Sequence, residues 1–259
     1  FRLTIIFMQR YLLEITYDGT NYFGWQIQPK HRTIQGEIIK KISTLYNQEI
    51  NLIGCGRTDT GVHAIKYFAH FDIDIEIDIE KFLFKINNFL NNDIVINHVY
   101  KVNKDFHARF SAKSRTYEYY ISFKKDPFLH KISFQFFKAL DLKLLNIGSN
   151  FFIGEKEFSS FCKSSSDVNN KICNVTEAFW IKKNNMFIFR ITANRFLHNM
   201  VRSITGTIID FALKKISSRE LQEIFNLKKR KNSGLSVPAK GLYLIDVEYP
   251  KNSFSEKNI

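Results

Sequence analysis

Gly54-Cys55-Gly56-Arg57-Thr58-Asp59-Thr60-Gly61-Val62-His63-Ala64 is the stretch on which the reading of this chain turns. Glycines at 54, 56 and 61 permit backbone conformations that other residues avoid, so the stretch predicts a tight, irregular loop. A loop that gathers Gly, Arg, Asp and His is not built to fill a core. If it lines a cleft, a nearby cation holds Asp59 ionised and ready to act as nucleophile or base. If it does not, Asp59 and Arg57 simply cap the backbone of a polar turn. Composition alone leaves both readings open.

On either side of the loop the pattern is that of strands. Residues 50–53 lead into it and residues 66–73 lead away. Before them, residues 11–17 form a β-branched and aromatic run ended by Asp18-Gly19, a strand and turn. The segment 18–26 is dense in aromatic and amide side chains, which suits either a nucleobase pocket or an ordinary packed loop. Thr33 is placed to cap a helix carrying Ile34, Ile38, Ile42 and Leu45 on one face. Ile79, Phe82, Leu83, Ile86, Phe89 and Leu90 make a second helical stripe, and residues 94–102 close this half as a strand. The order is β-α-β-β-α-β, the split-βαβ pattern of ferredoxin-like domains.

The remainder repeats that order without sequence identity to the first part. It reads as a strand at 115–123, a helix capped by Asp141 and ending near Gly154, and strands at 172–181 and 186–193. A helix at 196–213, a short helix opened by a Ser217 and Glu220 capping box, and a strand at 242–249 follow. The expected fold is α+β. Two ferredoxin-like halves, 8–112 and 113–250, form one mainly antiparallel sheet with helices on one face and a central cleft. Residues 1–7 and 251–259 are expected to be tails, the first an extension upstream of Met8 and too short for a secretory h-region. Residues 159–170, rich in Ser, Asn and Asp, read as a mobile loop, and the chain from Lys251 as frayed.

The formal net charge is +13 over 259 residues. That balance favours a polyanionic partner, nucleic acid first and an anionic membrane second. The richness in Lys, Asn, Ile and Phe is also what an AT-rich coding sequence produces, so charge supports nucleic-acid binding without establishing it. Basic clusters lie at Lys40-Lys41, Lys124-Lys125, Lys182-Lys183, Lys214-Lys215 and from Lys228 to Lys231. If they track a phosphate backbone, affinity falls steeply with salt. Three cysteines, Cys55, Cys162 and Cys173, without CxxC spacing argue against a disulfide framework or a zinc site and fit a reducing cytosol. No apolar run reaches the ~18 residues of a membrane-spanning helix.

The loop from Gly56 to Ala64 closely resembles the signature of the TruA family of tRNA pseudouridine synthases. Tyr17-Asp18-Gly19-Thr20 with Gly24-Trp25-Gln26 is similar to that family's opening motif. Asp105-Phe106-His107-Ala108-Arg109-Phe110, with Arg115 and Tyr117, is similar to its central one. Phe196-Leu197-His198-Asn199-Met200-Val201-Arg202 and Gly241-Leu242-Tyr243-Leu244 resemble its C-terminal pair. Five motifs in the right order over this length make chance implausible. The chain departs from the family at Thr60, where Ala is usual, and at Leu90-Asn91, where Leu-Pro is usual.

The resemblance implies a homodimer without metal or organic cofactor, acting on uridines of the anticodon arm of tRNA, positions 38, 39 and 40. It gives Asp59 the role of nucleophile and Arg202 that of its ion-pair partner. It makes Tyr117 the ring that stacks on the target uracil and takes part in proton transfer. Leu244 floors the pocket, Arg57 enters the RNA stack when the base flips out, and Arg109 binds substrate. Read from the residues alone, Arg202 is either functional or a helix-surface arginine, and its apolar neighbours Met200 and Val201 favour an inward face. Tyr117 is either a stacking residue or a sheet-face aromatic.

Other residues invite sharper readings that fail. Cys55 has no activating base beside it in sequence. His63, four residues after Asp59, lacks a third ligand at metal-site spacing, and it, His107 and His198 read as hydrogen-bonded structural residues. Two rivals remain: a non-catalytic RNA-binding protein on the same fold, and a metal-dependent hydrolase using Asp59 and His63.

Overall fold

The computed structural model describes residues 8–163, 169–229 and 233–254. The extension at 1–7, the centre of the expected loop at 164–168, Arg230 and Lys231 of the last basic cluster, and the tail at 255–259 lie outside the described residues. The fold is α+β with mainly antiparallel strands and, among the described residues, five α-helices. The chain divides into two compact units between Lys113 and Ser114 and again between Ile245 and Asp246. The first unit therefore takes both ends of the chain and the second takes its middle.

The first unit runs β1 (Gln9–Tyr17), α1 (Ile34–Tyr46), β2 (Ile53–Gly54), β3 (His63–Ile73), α2 (Ile79–Phe89) and β4 (Ile94–Val102). Its strand order is β4-β1-β3-β2, antiparallel throughout, with Leu12 opposite His70 and Tyr100, and Ile53 opposite His70. This is the ferredoxin-like arrangement. Alternation decides which face is covered. Tyr11, Leu13, Ile15 and Tyr17 are all buried, with Tyr11 against Phe71, which in turn meets Phe82 of α2. Ile34, Ile38 and Ile42 form the buried stripe of α1. Each such side chain contributes roughly 1.5–3 kcal/mol by leaving water. Thr33 Oγ1 accepts from Gly36 N at 3.3 Å and Asp78 Oδ1 from Lys81 N at 3.1 Å, so both helices begin on side-chain caps.

The second unit runs β5 (Ser114–Ser122), β6 (Phe134–Gln135), α3 (Leu142–Asn150), β7 (Gly154–Glu157), β8 (Ile172–Lys183), β9 (Met186–Ala193), α4 (Met200–Ala212), α5 (Ser218–Leu227) and the start of β10 (Leu242–Glu248). Its strand order is β10-β5-β9-β8-β7. Setting aside the short β6 and β7, this is the first unit's order again: last strand, first, third, second. The capping box at Ser217 and Glu220 is present in both directions.

Several boundaries differ from those the sequence suggests. Residues 50–52 are not strand, although Ile50 and Leu52 are buried. The helix expected from Phe196 begins only at Met200, because Asn199 adopts a left-handed backbone with φ 66° that a helix cannot pass through. The helix expected to reach Gly154 stops at Asn150, and Gly154 instead opens a strand with φ 101°. Ser159–Phe161, expected to be mobile, is a 3-10 turn whose Ser160 hydroxyl donates to Ile224 O at 2.5 Å. The segment after Lys251 is not frayed as far as Phe254, whose ring lies 4.7 Å from Tyr100 and 5.6 Å from Tyr249.

Candidate active site

In the first unit the Asp59 loop is held by the aromatic loop before α1. Trp25 N donates to Thr58 O at 3.2 Å, Gly61 N to Tyr22 O at 3.3 Å, and Val62 N to Asp59 O at 3.1 Å. The Tyr17 and Thr58 hydroxyls meet at 2.8 Å in the interior. Tyr67 OH donates to Gly56 O, and Cys55 N to Phe68 O at 2.8 Å. The acid is thus flanked on both sides by backbone that cannot move independently. Two glycines make the approach possible. A Cβ on Gly19 would lie 2.0 Å from Val62 O, and one on Gly24 would lie 2.4 Å from Thr58 O. Gly24 also has φ 82°, so it is required on both counts. Gly24→Ala is expected to lower stability by at least roughly 1–3 kcal/mol from the positive φ alone. A fall of several degrees in Tm, read by circular dichroism, checks it.

This clamp explains what the aromatic loop is for. Tyr22 and Trp25 are each 1% exposed, and Trp25 stacks on Tyr67 at 4.0 Å. Neither ring is available to a nucleobase, so the pocket reading of this loop gives way to the packed-loop reading for both. Phe23 is exposed and stacks on His31 at 4.1 Å. Arg57 is exposed and its Nε donates to Gln26 Oε1 at 3.1 Å, a partner the sequence did not suggest. Arg109, in the same unit, is exposed beside Phe110, its guanidinium 5.5 Å from that ring.

A second carboxylate close by is already engaged. Asp18 Oδ1 accepts from Thr20 N at 2.9 Å and Thr20 Oγ1 at 2.6 Å. Burial works to raise its pKa, but these bonds and the neighbouring His63 outweigh it, so the carboxyl sits below its ordinary value. His63, 2% exposed, places Nδ1 3.2 Å from Gly19 N and 3.0 Å from Asp18 Oδ1. One nitrogen cannot serve both at once: a bare Nδ1 accepts from Gly19 N, and a protonated Nδ1, in the neutral Nδ1–H tautomer or the charged ring, donates to Asp18. Either way Nδ1 of His63 is engaged within the loop frame, the hydrogen-bonded role expected of it.

His107 Nδ1 accepts from Arg109 N at 3.1 Å and Phe110 N at 3.3 Å, the structural role expected of it. His70, which the sequence did not single out, is 1% exposed and accepts from Ala108 N at 3.1 Å. Burial, with the charge of Arg10 adding to it, pushes its pKa down to about 4. Cys55 is buried, consistent with an inert thiol. Among the described residues no three His, Cys, Asp or Glu side chains converge as a metal site would require, and no helix is long and apolar enough to cross a membrane.

The other predicted site residues belong to the second unit. Tyr117 lies on β5 opposite Ile191, half-buried, with Phe196 packed edge-on at 5.1 Å. Its strand neighbour Tyr119 is fully buried and donates to Pro238 O at 2.7 Å, a structural tyrosine two residues from a half-exposed one. Leu244 on β10 is 1% exposed. Arg202 lies in the first turn of α4, half-buried, and its Nε donates to Val237 O at 2.8 Å. No residue type at 237 announces that contact, since any residue offers a carbonyl.

Comparison with known proteins agrees with this arrangement of motifs. A family described as tRNA pseudouridine synthase matches residues 15–111 and 150–250. The chain is similar to tRNA pseudouridine synthase A of Caldicellulosiruptor saccharolyticus, with 42% identity over 93% of this chain and 100% of that one. It is 41% identical to the protein of the same name from Azobacteroides pseudotrichonymphae, over 94% of this chain and 98% of that one. With that of Bacteroides thetaiotaomicron it shares 38% identity over 96% and 94%.

Proposed function

Because the chain belongs to the tRNA pseudouridine synthase family, we propose that it isomerises uridines 38, 39 and 40 in the anticodon arm of tRNA, with Asp59 as nucleophile. The C1′–N1 bond of the nucleotide breaks, the uracil turns, and a C1′–C5 bond forms. C5 loses a proton and N1 gains one, so the reaction is balanced without an oxidant, a reductant or water. Asp59 attacks either the sugar or the base. Arg202 pairs with it and holds it ionised.

The observation that carries this reading is the clamp on the Asp59 loop, with bonds to Thr58 O, Asp59 O and Gly61 N and close approaches at Gly19 and Gly24. A nucleophile must be held to within a fraction of an ångström to be effective, and a frame of this kind does so. The target base has to leave its stack, at a cost of a few kcal/mol. Stacking on Tyr117 offsets roughly 1–3 kcal/mol of that. Its ring is held edge-on by Phe196, which supports a stacking role. Leu244 floors the pocket, and Arg57 and Arg109 contact the RNA around the vacated position. The protein works in the cytoplasm as a homodimer, and its net charge of +13 suits a tRNA partner.

The test is tritium release from tRNA labelled at uracil C5. Release is expected without added cofactor from a transcript carrying uridine at 38, 39 or 40. It is expected to vanish when those uridines are replaced by cytidine. Release that persists after the replacement places the target elsewhere, and tRNA binding with no release at all leaves a non-catalytic RNA-binding protein.

A further inference from the structure

Arg202 is tied to one residue twice. Its Nε donates to Val237 O at 2.8 Å, and Val237 N donates back to Arg202 O at 3.3 Å. The Cδ–Nε bond and the Nε–H bond both lie in the guanidinium plane, so with Cδ placed by the side-chain stem, fixing the Nε–H direction fixes the plane. A carboxylate partner is then met by the Nη atoms.

The position of that carbonyl depends in turn on how residues 233–237 lie against α4. Gly234 N donates to Thr207 Oγ1 at 2.9 Å. The hydroxyls of Ser203 and Ser233 meet at 3.2 Å, and Asn199 Nδ2 donates to Ser236 Oγ at 2.6 Å. Gly206 faces Leu235 so closely that an added Cβ would lie 1.9 Å from Leu235 O. Positions 199, 203, 206 and 207 share one helical face with Arg202. Ser203 and Thr207 are fully buried there, whereas Leu235 is 87% exposed on the outer side of the segment. The segment is held by its backbone and its small polar side chains, not by burying its largest apolar one.

We propose that residues 233–237 are a positioning strap for the catalytic guanidinium, with Gly206 and Thr207 as its seat and the Val237 carbonyl as the contact that orients Arg202. The inference rests on the role given to Arg202 above. The strap acts through Arg202, so disturbing it lowers turnover and leaves tRNA binding in place.

Gly206→Ala and Thr207→Val disturb the seat in two independent ways, and Thr207→Ser keeps the hydroxyl. Steady-state and single-turnover tritium release and tRNA binding are measured for each. A displacement of about 1 Å at a reacting group costs on the order of 100-fold in rate, which is the fall in kcat expected for Gly206→Ala. Thr207→Val is expected to lose about tenfold and Thr207→Ser to return to within about twofold, with KM and tRNA affinity within about threefold throughout. Unchanged kcat in both variants, equal losses in binding and turnover, or no rescue by serine would each show the strap to be ordinary packing. If Gly206→Ala does not fold, the threonine pair decides alone. Arg202→Lys in the same assay separates the two claims. Full activity there overturns the role of Arg202 itself, whereas impairment there with intact strap variants overturns the strap alone.

Discussion

Asp59→Asn is expected to abolish tritium release from C5-labelled tRNA while tRNA affinity stays within about tenfold of wild type. The substitution keeps shape and removes charge. Three of the bonds that hold the loop run between backbone groups or from a neighbouring side chain: Trp25 N on Thr58 O, Val62 N on Asp59 O, and the Tyr17 hydroxyl on Thr58. None of these three bonds uses the Asp59 carboxylate, so they survive the change. What is lost is the group proposed to bond covalently to the substrate, and removing a nucleophile costs at least about 10³-fold in rate. Binding persists because phosphate contacts dominate affinity for RNA. Filter binding and release are to be measured on one preparation, together with Tm. Parallel loss of binding and activity would make Asp59 structural, and release near the wild-type rate would end the nucleophile reading.

The glycines around Asp59 made its loop legible, because only a backbone under unusual demands concentrates them. The reason for the demand was not legible. Gly19 and Gly24 answer to a second loop, at Val62 and Thr58, 43 and 34 residues further along the chain, and nothing in either stretch alone says that they touch. The strands at 94–102 and 186–193 were readable to the residue, since β-branched runs bounded by turn residues have one good interpretation. β7 was not, because Gly-Glu-Lys-Glu carries no apolar alternation and becomes strand only by pairing with β8. The start of α4 departs from the sequence pattern for a related reason. Phe196, Leu197, Met200 and Val201 have helical spacing, but Asn199 turns left-handed, and its side chain goes to Ser236. Tertiary bonds of this kind override local pattern. Apart from the apolar neighbours of Arg202, Met200 and Val201, only resemblance to a family separates Arg202 and Tyr117 from surface and sheet-face residues, because isolated arginines and tyrosines carry no spacing of their own.

Arg202→Lys is the substitution that asks whether charge or geometry matters at that position. Lysine keeps the positive charge, so any role in steering polyanionic RNA or in holding Asp59 ionised at a distance survives. It loses the planar fork. In the native protein Nε is engaged by the Val237 carbonyl, so the carboxylate of the proposed ion pair would be addressed by the far nitrogens while the near one helps to hold the plane. An ammonium has no second, rigidly oriented donor with which to do both. Its three donors radiate from one nitrogen and cannot reproduce the spacing of Nε and the Nη atoms, so in the ion pair proposed here the acid loses its directional partner. Losing one preorganised donor in an active site costs on the order of 10²–10³ in kcat, and that is the fall expected here, with tRNA affinity changed by less than about threefold. Arg202→Gln, which keeps hydrogen-bonding capacity but no charge, should fall at least as far. If Arg202→Lys instead stays within threefold of wild type while the glutamine variant is inactive, a diffuse positive charge is sufficient. The guanidinium would then have no geometric role, and the Val237 contact would be incidental.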